Sequence, residues 1–418
     1  MKIKRKKASY QEVLKMPRAK HFNPRKPSFL FSTIVRLLAI GDLTRTKFTY
    51  TTERAELLKQ GPCLILMNHS SFIDLQMISK IMYPQRYNIV CTSDGFVGKK
   101  WLMRLLGCIP TKKFVTDLTL IKDINYALKK GTHVLMYPEA YSFDGCATPL
   151  PQKMGALIKL LKVPVVTVIT KGAFAYDPLY NCLQKRNVKT SAHVKGLFTK
   201  EEVQSLSAEE LSKRLEEQFT FDNFKWQQQE GVKIKEPFRA DGLHRILYKC
   251  PHCNSEGKME GKGVNLTCSA CGKVYTLTEE GFMKAVDGKT EFTHIPDWYN
   301  WERANVKQEI LKGEYLLDTE VDITMMVNYK GVYDIGKGHL IHNERGFTLT
   351  GANGELNYSQ PPLASYSLYA DYYWYEIGDV ICIGNNDCLY YCFPQKQGVV
   401  SKTRMATEEL FKLNKHSK

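Results

Sequence analysis

Between about residues 47 and 198, short apolar runs alternate with amphipathic stretches, and that alternation limits what this chain can fold into more than any other property. The runs 63–67, 87–92, 132–137 and 163–170 are each bounded by Gly, Pro, Asn or Asp. Between them, apolar residues recur at helical spacing over 72–82, 99–106, 117–130 and 152–162. Strands of four to eight residues separated by helices predict an α/β domain around a mainly parallel sheet. A charged amphipathic segment from Thr199 closes the region. Within it, Ser207 followed three residues later by Glu210 reads as a capping box. The domain is expected to span 46–230.

The rest of the chain is organised differently. A length of 418 residues suggests two or three domains. Hydrophobic content of 43% and charged content of 24% exclude disordered, collagenous and disulfide-miniprotein classes. No run approaches the ~18 apolar residues of a spanning helix. The longest, 29–41, is interrupted by Arg36 and lies too far along the chain, without a small-residue cleavage site, to be a signal peptide. The net charge of +16 points to acidic partners: nucleic acid, anionic lipid or an acidic carrier. More than half of it sits in residues 1–26, which carry ten basic side chains and one acid, Glu12. A basic arm leading into a short apolar helix, together 1–45, suits a helix lying among lipid headgroups; the plainer reading is a solvated tail before a core helix.

Twelve cysteines fall into unequal groups. Cys250, Cys253, Cys268 and Cys271 form two CxxC pairs separated by fourteen residues, whereas the others are scattered. Paired knuckles beside single thiols suit a reducing compartment and one structural Zn2+ within 245–280, with all four positions filled by sulfur. His252, inside the first knuckle, is read as a surface residue. Residues 315–410 alternate aromatic and β-branched side chains with turn signals at Asn353-Gly354 and Asn385-Asn386, which predicts a small antiparallel β module.

One segment concentrates chemistry: CLILMNHSSFIDL, where a strand runs into Asn68, His69 and, five residues after the histidine, Asp74. The bare spacing arises easily by chance in a chain of this composition. Its position does not, because α/β folds place ligand sites where strands end. Positions five apart lie ~140° apart around a helix, so His69 must sit in the preceding turn and fold back towards Asp74. A carboxylate on one ring nitrogen fixes the tautomer and leaves the other nitrogen to take a proton. Ser70 and Ser71 suggest a hydrolase nucleophile, but no GxSxG elbow exists and capping of the next helix is the better reading. Cys63 and Cys91 read as core, and Phe72 and Trp101 as packing or acyl-chain lining.

With these residues in hand, the chain resembles the glycerolipid acyltransferases, the 1-acyl-glycerol-3-phosphate and lysophospholipid acyltransferase family. Four blocks match in order: NHSSFID (68–74), GCIPTKK (107–113), YPEAYSFDG (137–145) and VPVVTV (163–168). The resemblance implies that His69, oriented by Asp74, acts as general base on an acceptor hydroxyl, which attacks the thioester of acyl-CoA or an acyl-carrier protein. It places Asn68, Gly107, Lys113, Pro138 and Glu139 among the substrate-binding positions. Two departures matter. Lys113 stands where the family has an arginine that holds the acceptor phosphate, and lysine lacks the bidentate fork. In the third block Ala140-Tyr141-Ser142 replaces the family's Gly-Thr-Arg. The implied partners are a lysophospholipid acceptor, a CoA or carrier-protein donor and an anionic membrane surface. The implied location is cytoplasmic, peripheral to the inner face of the membrane. A zinc ribbon beside a basic arm also fits a nucleic-acid-binding protein or a scaffold with a decayed acyltransferase domain. Against these, the basic cluster adjoins an apolar helix instead of the ribbon, and His69, Asp74 and Glu139 are intact.

Overall fold

The computed structural model describes residues 2–115, 117–139, 141–396 and 398–416. It begins with a short strand, β1 (Arg5–Lys7), and three helices, Tyr10–Lys15, Phe29–Leu38 and Ile40–Arg45. The α/β region follows with β2 (Thr49–Glu53), β3 (Leu64–Met67), β4 (Tyr87–Thr92), β5 (Cys108–Thr111), β6 (His133–Met136), β7 (Val165–Lys171) and β8 (Ser191–Phe198). Their order across the sheet is β2-β8-β7-β3-β6-β4-β5. The β7–β8 pairing is antiparallel and the other pairings along that path are parallel, so the sheet is mixed.

The central strand shows why these short apolar runs are continuous and not alternating. Ile65 and Met67 enter one buried cluster with Ile73, Met77 and Ile78 of helix Ile73–Met82. Leu64 and Leu66 enter another, with residues of helices Leu118–Lys129, Met154–Leu161 and Ala208–Glu216. A strand covered on both faces must be apolar on both. Three strands were not anticipated. Edge strand β2 is exposed along its whole length, edge strand β5 contains Pro110, and β8 alternates polar and apolar residues. The amphipathic segment after Thr199 is two helices, Lys200–Ser205 and Ala208–Glu216. Ser207 Oγ accepts from Glu210 N at 3.0 Å, but the reciprocal box forms one helix earlier, between Thr199 and Glu202.

Beyond residue 245, β9 (Met259–Lys262), β10 (Asn265–Cys268), β11 (Val274–Leu277) and β12 (Met283–Ala285) form a small antiparallel sheet under the cysteine knuckles. Helix Ile295–Leu311 leads to β13 (Leu317–Met326), β14 (Val332–Asn343), β15 (Gly346–Gly351), β16 (Leu356–Gln360), β17 (Tyr369–Trp374), β18 (Gly378–Gly384) and β19 (Leu389–Pro394). These pair antiparallel in the order β16-β15-β14-β13-β19-β18-β17. An unanticipated helix, Val399–His416, ends the module.

The basic arm is not a free tail. β1 pairs in parallel with β14, and Arg5 forms an ion pair with Asp334 at 3.0 Å. Ser9 and Glu12 make a capping box that starts helix Tyr10–Lys15, whose Val13 is fully buried. Further on, Arg25 O accepts from Asn88 Nδ2 at 2.8 Å. The arm therefore straps the β module to the α/β sheet. One buried cluster runs from Val13 through Phe143 and Tyr180 to Tyr275 beside the knuckles and to Tyr372 and Met405 of the module. The three regions share a core.

Candidate active site and metal cluster

His69 follows β3 at the carboxyl end of the sheet. Asn68 fixes that strand end. Its carboxamide oxygen accepts from Thr170 N at 2.7 Å and Thr170 Oγ1 at 3.0 Å, and its nitrogen donates to Thr170 O at 3.2 Å. The chain then turns into helix Ile73–Met82, and His69 Nδ1 lies 3.1 Å from Asp74 Oδ2. The same oxygen accepts the backbone N–H groups of Ser70 at 3.0 Å and Ser71 at 3.1 Å, and Oδ1 accepts from Thr170 Oγ1 at 3.3 Å. Asp74 is fully buried, and every bond it makes is to a donor, as an ionised carboxylate in an apolar setting requires. The imidazole is stacked on Tyr137 at 4.3 Å and meets Tyr141 edge-on at 4.7 Å. Ser71 Oγ donates to buried Asp177 and accepts from Ile73 N at 3.1 Å, but Phe72 is the N-cap of the helix and no side chain caps it, so the expected serine cap is not formed; Ser70 Oγ has no partner among the described residues.

Glu139 and Asn68 share a small cavity with His69. Burial pushes the Glu139 carboxyl up to about 8, against the backbone N–H groups of Thr148, at 2.8 Å, and His69. Pro138 is buried beside it; Ala140 lies outside the described residues. The other two expected substrate-binding residues are placed elsewhere. Gly107 precedes β5 and so lies at the opposite end of the parallel strands from His69. Its φ of +78° and a Cβ position 2.4 Å from Pro27 explain the glycine by close approach of the arm. Lys113 follows β5 at the His69 end, but its Nζ lies 4.8 Å from the centre of the Tyr369 ring, and burial lowers its pKa. Lys112 Nζ donates to Asn386 O. The second block thus meets the β module.

The third block meets it too. Arg404, buried in the last helix, donates from Nη1 to Tyr141 O at 2.8 Å and lies 4.3 Å over the Phe143 ring. Phe143 in turn contacts Tyr372 at 4.6 Å. A residue 263 positions downstream therefore holds the loop whose Tyr141 walls the imidazole. Sequence spacing gives no signal for Arg404. The only hint is the arginine missing from the third block.

Phe72 and Trp101 are exposed. Trp101 adjoins helix Phe29–Leu38, which has no buried side chain and exposes Phe29, Leu30, Leu37 and Leu38, the last at 77%. Phe31 and Trp101 meet edge-on at 6.5 Å. No helix among the described residues is long and apolar enough to cross a membrane.

The four knuckle thiols converge within 4.8 Å of one another, with Cys253 and Cys268 Sγ 3.7 Å apart and Cys250 and Cys271 Sγ 3.9 Å apart. Thiolates at ~2.3 Å from a tetrahedral zinc stand roughly 3.8 Å apart, so the donor set and its spacing fit that ion. His252 is exposed and pairs with Glu291 at 3.2 Å, outside the cluster. A wide cleft of about 680 Å³ elsewhere lies between the arm and the β module. Two ion pairs cross it, Arg5 with Asp334 and Arg245 with Asp379, and Asp322 accepts from Gln395.

Residues 49–171 match the family model described as Acyltransferase, and that segment is an acyltransferase-family domain. Among solved structures the chain is similar to the 1-acyl-sn-glycerophosphate (LPA) acyltransferase PlsC from Thermotoga maritima. Identity is 18% and the TM-score 0.38, over 45% of this chain and 76% of that one.

Proposed function

We propose that the protein transfers a fatty acyl group from the thioester of acyl-CoA or an acyl-carrier protein to the hydroxyl of a lysophospholipid-type acceptor. The observation that carries this reading is the 3.1 Å contact between His69 Nδ1 and buried Asp74 at the end of β3, inside the acyltransferase-family segment. With Nδ1 held by Asp74, Nε2 is the nitrogen left to take the acceptor proton. The acceptor oxygen forms a bond to the thioester carbon and the C–S bond breaks. The proton on His69 passes to the departing thiolate, and no acyl-enzyme is formed. Asp74 stabilises the imidazolium at its peak of charge.

Membrane attachment belongs to the same proposal. The unburied apolar helix Phe29–Leu38, with Arg25 and Lys26 exposed beside it, supports docking on an anionic surface such as the inner face of a cytoplasmic membrane. Structural zinc in the cysteine cluster is proposed on the sulfur spacing. Incubation with labelled acyl donors and a panel of lysolipids, followed by mass spectrometry of the products, tests the reading. Acylated lysolipid is expected, and its absence for every donor and acceptor contradicts the reading.

A further inference from the structure

The cavity beside His69 measures about 10 Å³, room for roughly one water molecule. Most of its polar lining is already committed. Asn68 is bonded to Thr170, Ser142 Oγ donates to Cys146 O at 2.7 Å, and Glu139 accepts from Thr148 N. Two of its buried oxygens are not: Ser70 Oγ and Asn223 Oδ1 have no hydrogen-bond partner among the described residues. The Asn223 amide is oriented by its own nitrogen, which donates to Gly145 O at 2.6 Å, and its backbone N–H donates to the same carbonyl at 2.9 Å. Both residues are more than nine-tenths buried, and buried polar atoms left unpaired are uncommon in folded proteins.

What these atoms require is specific. Asn223 Oδ1 only accepts, His69 Nε2 must accept to act as base, and Ser70 Oγ can donate. A single oxygen bearing two hydrogens satisfies all three. A monohydroxy acceptor, whose one hydrogen goes to His69, leaves Asn223 unpaired. We infer that Ser70, Asn223 and His69 form a seat for one water molecule, which gives the protein a second activity: hydrolysis of the acyl thioester when acceptor is absent. The inference rests on the acyltransferase reading of the same site. The water oxygen bonds to the thioester carbon, the C–S bond breaks, one water proton passes through His69 to the thiolate, and fatty acid and free thiol are released.

The test uses the full chain with palmitoyl-CoA and palmitoyl-acyl-carrier protein in 18O-labelled water, with and without lysolipid. The expected result is acceptor-free release of palmitate carrying one 18O, lost in His69→Ala. In Asn223→Ala and Ser70→Ala the ratio of hydrolysis to transfer falls about tenfold or more. A merely structural role lowers both rates together and leaves that ratio unchanged, which overturns the proposal. Transfer without any labelled palmitate overturns it as well while the acyltransferase reading stands. Neither reaction in the wild type removes both.

Discussion

Replacing Asp74 by asparagine removes one charge from the centre of the site and little else. Three donors converge on Oδ2, from His69, Ser70 and Ser71, so the amide oxygen must occupy that position and the NH2 group must face Thr170 Oγ1. Thr170 Oγ1 can accept it once its own proton, shared in the wild type between Asp74 Oδ1 at 3.3 Å and Asn68 Oδ1 at 3.0 Å, turns wholly to Asn68. The network survives, and exchanging charge-assisted bonds for neutral ones is expected to cost the fold no more than about 2 kcal/mol. Catalysis loses more. In the transition state the imidazole carries a positive charge against the carboxylate. Two unit charges ~4 Å apart at an effective dielectric of about 20 attract by about 4 kcal/mol. That corresponds to roughly a thousandfold in rate. Asp74→Asn should therefore lower kcat about a thousandfold with little change in KM, measured by thiol release from the acyl donor at saturating lysolipid, with circular dichroism and a melting curve confirming the fold. A folded Asp74→Asn protein within tenfold of wild-type kcat refutes the His–Asp mechanism.

Changing Leu30, Leu37 and Leu38 together to serine should release the protein from anionic vesicles in a flotation assay while its melting temperature barely moves, because these side chains are exposed; persistent flotation places the contact elsewhere. Metal analysis should return about one zinc per chain, and Cys253→Ser should lower that content and the stability of the 245–280 region; full zinc content in the variant would rule out the cluster as the site. Stability should fall between pH 5 and pH 8. Burial raises Glu139 and Asp177 to about 8, Asp371 to about 7 and Asp144 to about 6. These groups stay protonated in the fold while the unfolded chain ionises them from about pH 4. Their contribution is full below that point and is lost as pH rises through the folded values, by up to about 1.4 kcal/mol per pH unit for each group in its window. Denaturant melts showing stability rising across the same range would contradict the sign.

Much of the α/β domain was legible because its residues obey local rules. The runs at 63–67, 87–92, 132–137 and 163–170 are strands β3, β4, β6 and β7 to within two residues, and the four helical windows are helices. His69 and Asp74 were legible as a pair for the same reason, since they are five residues apart and joined by one turn. What escaped was settled by contacts between distant segments. β5 and β8 gain their pairing only from neighbours already in the sheet. The plainer reading of the arm was a solvated tail, but β14 offered Arg5–Lys7 an edge and Asp334 a partner for Arg5. Arg404 and Asn223 reach the site from the last helix and from beyond the family-matched segment. The β module, for which the sequence suggested no role, covers the second and third blocks.

The central claim is that His69 takes a proton from a lipid hydroxyl. It is tested most directly by comparing wild type with His69→Ala in a single-turnover reaction of labelled acyl thioester with a lysophospholipid. The account predicts acylated lipid from the wild type and a loss of roughly a hundredfold or more in a variant that remains folded. Equal product formation by the two proteins would contradict it.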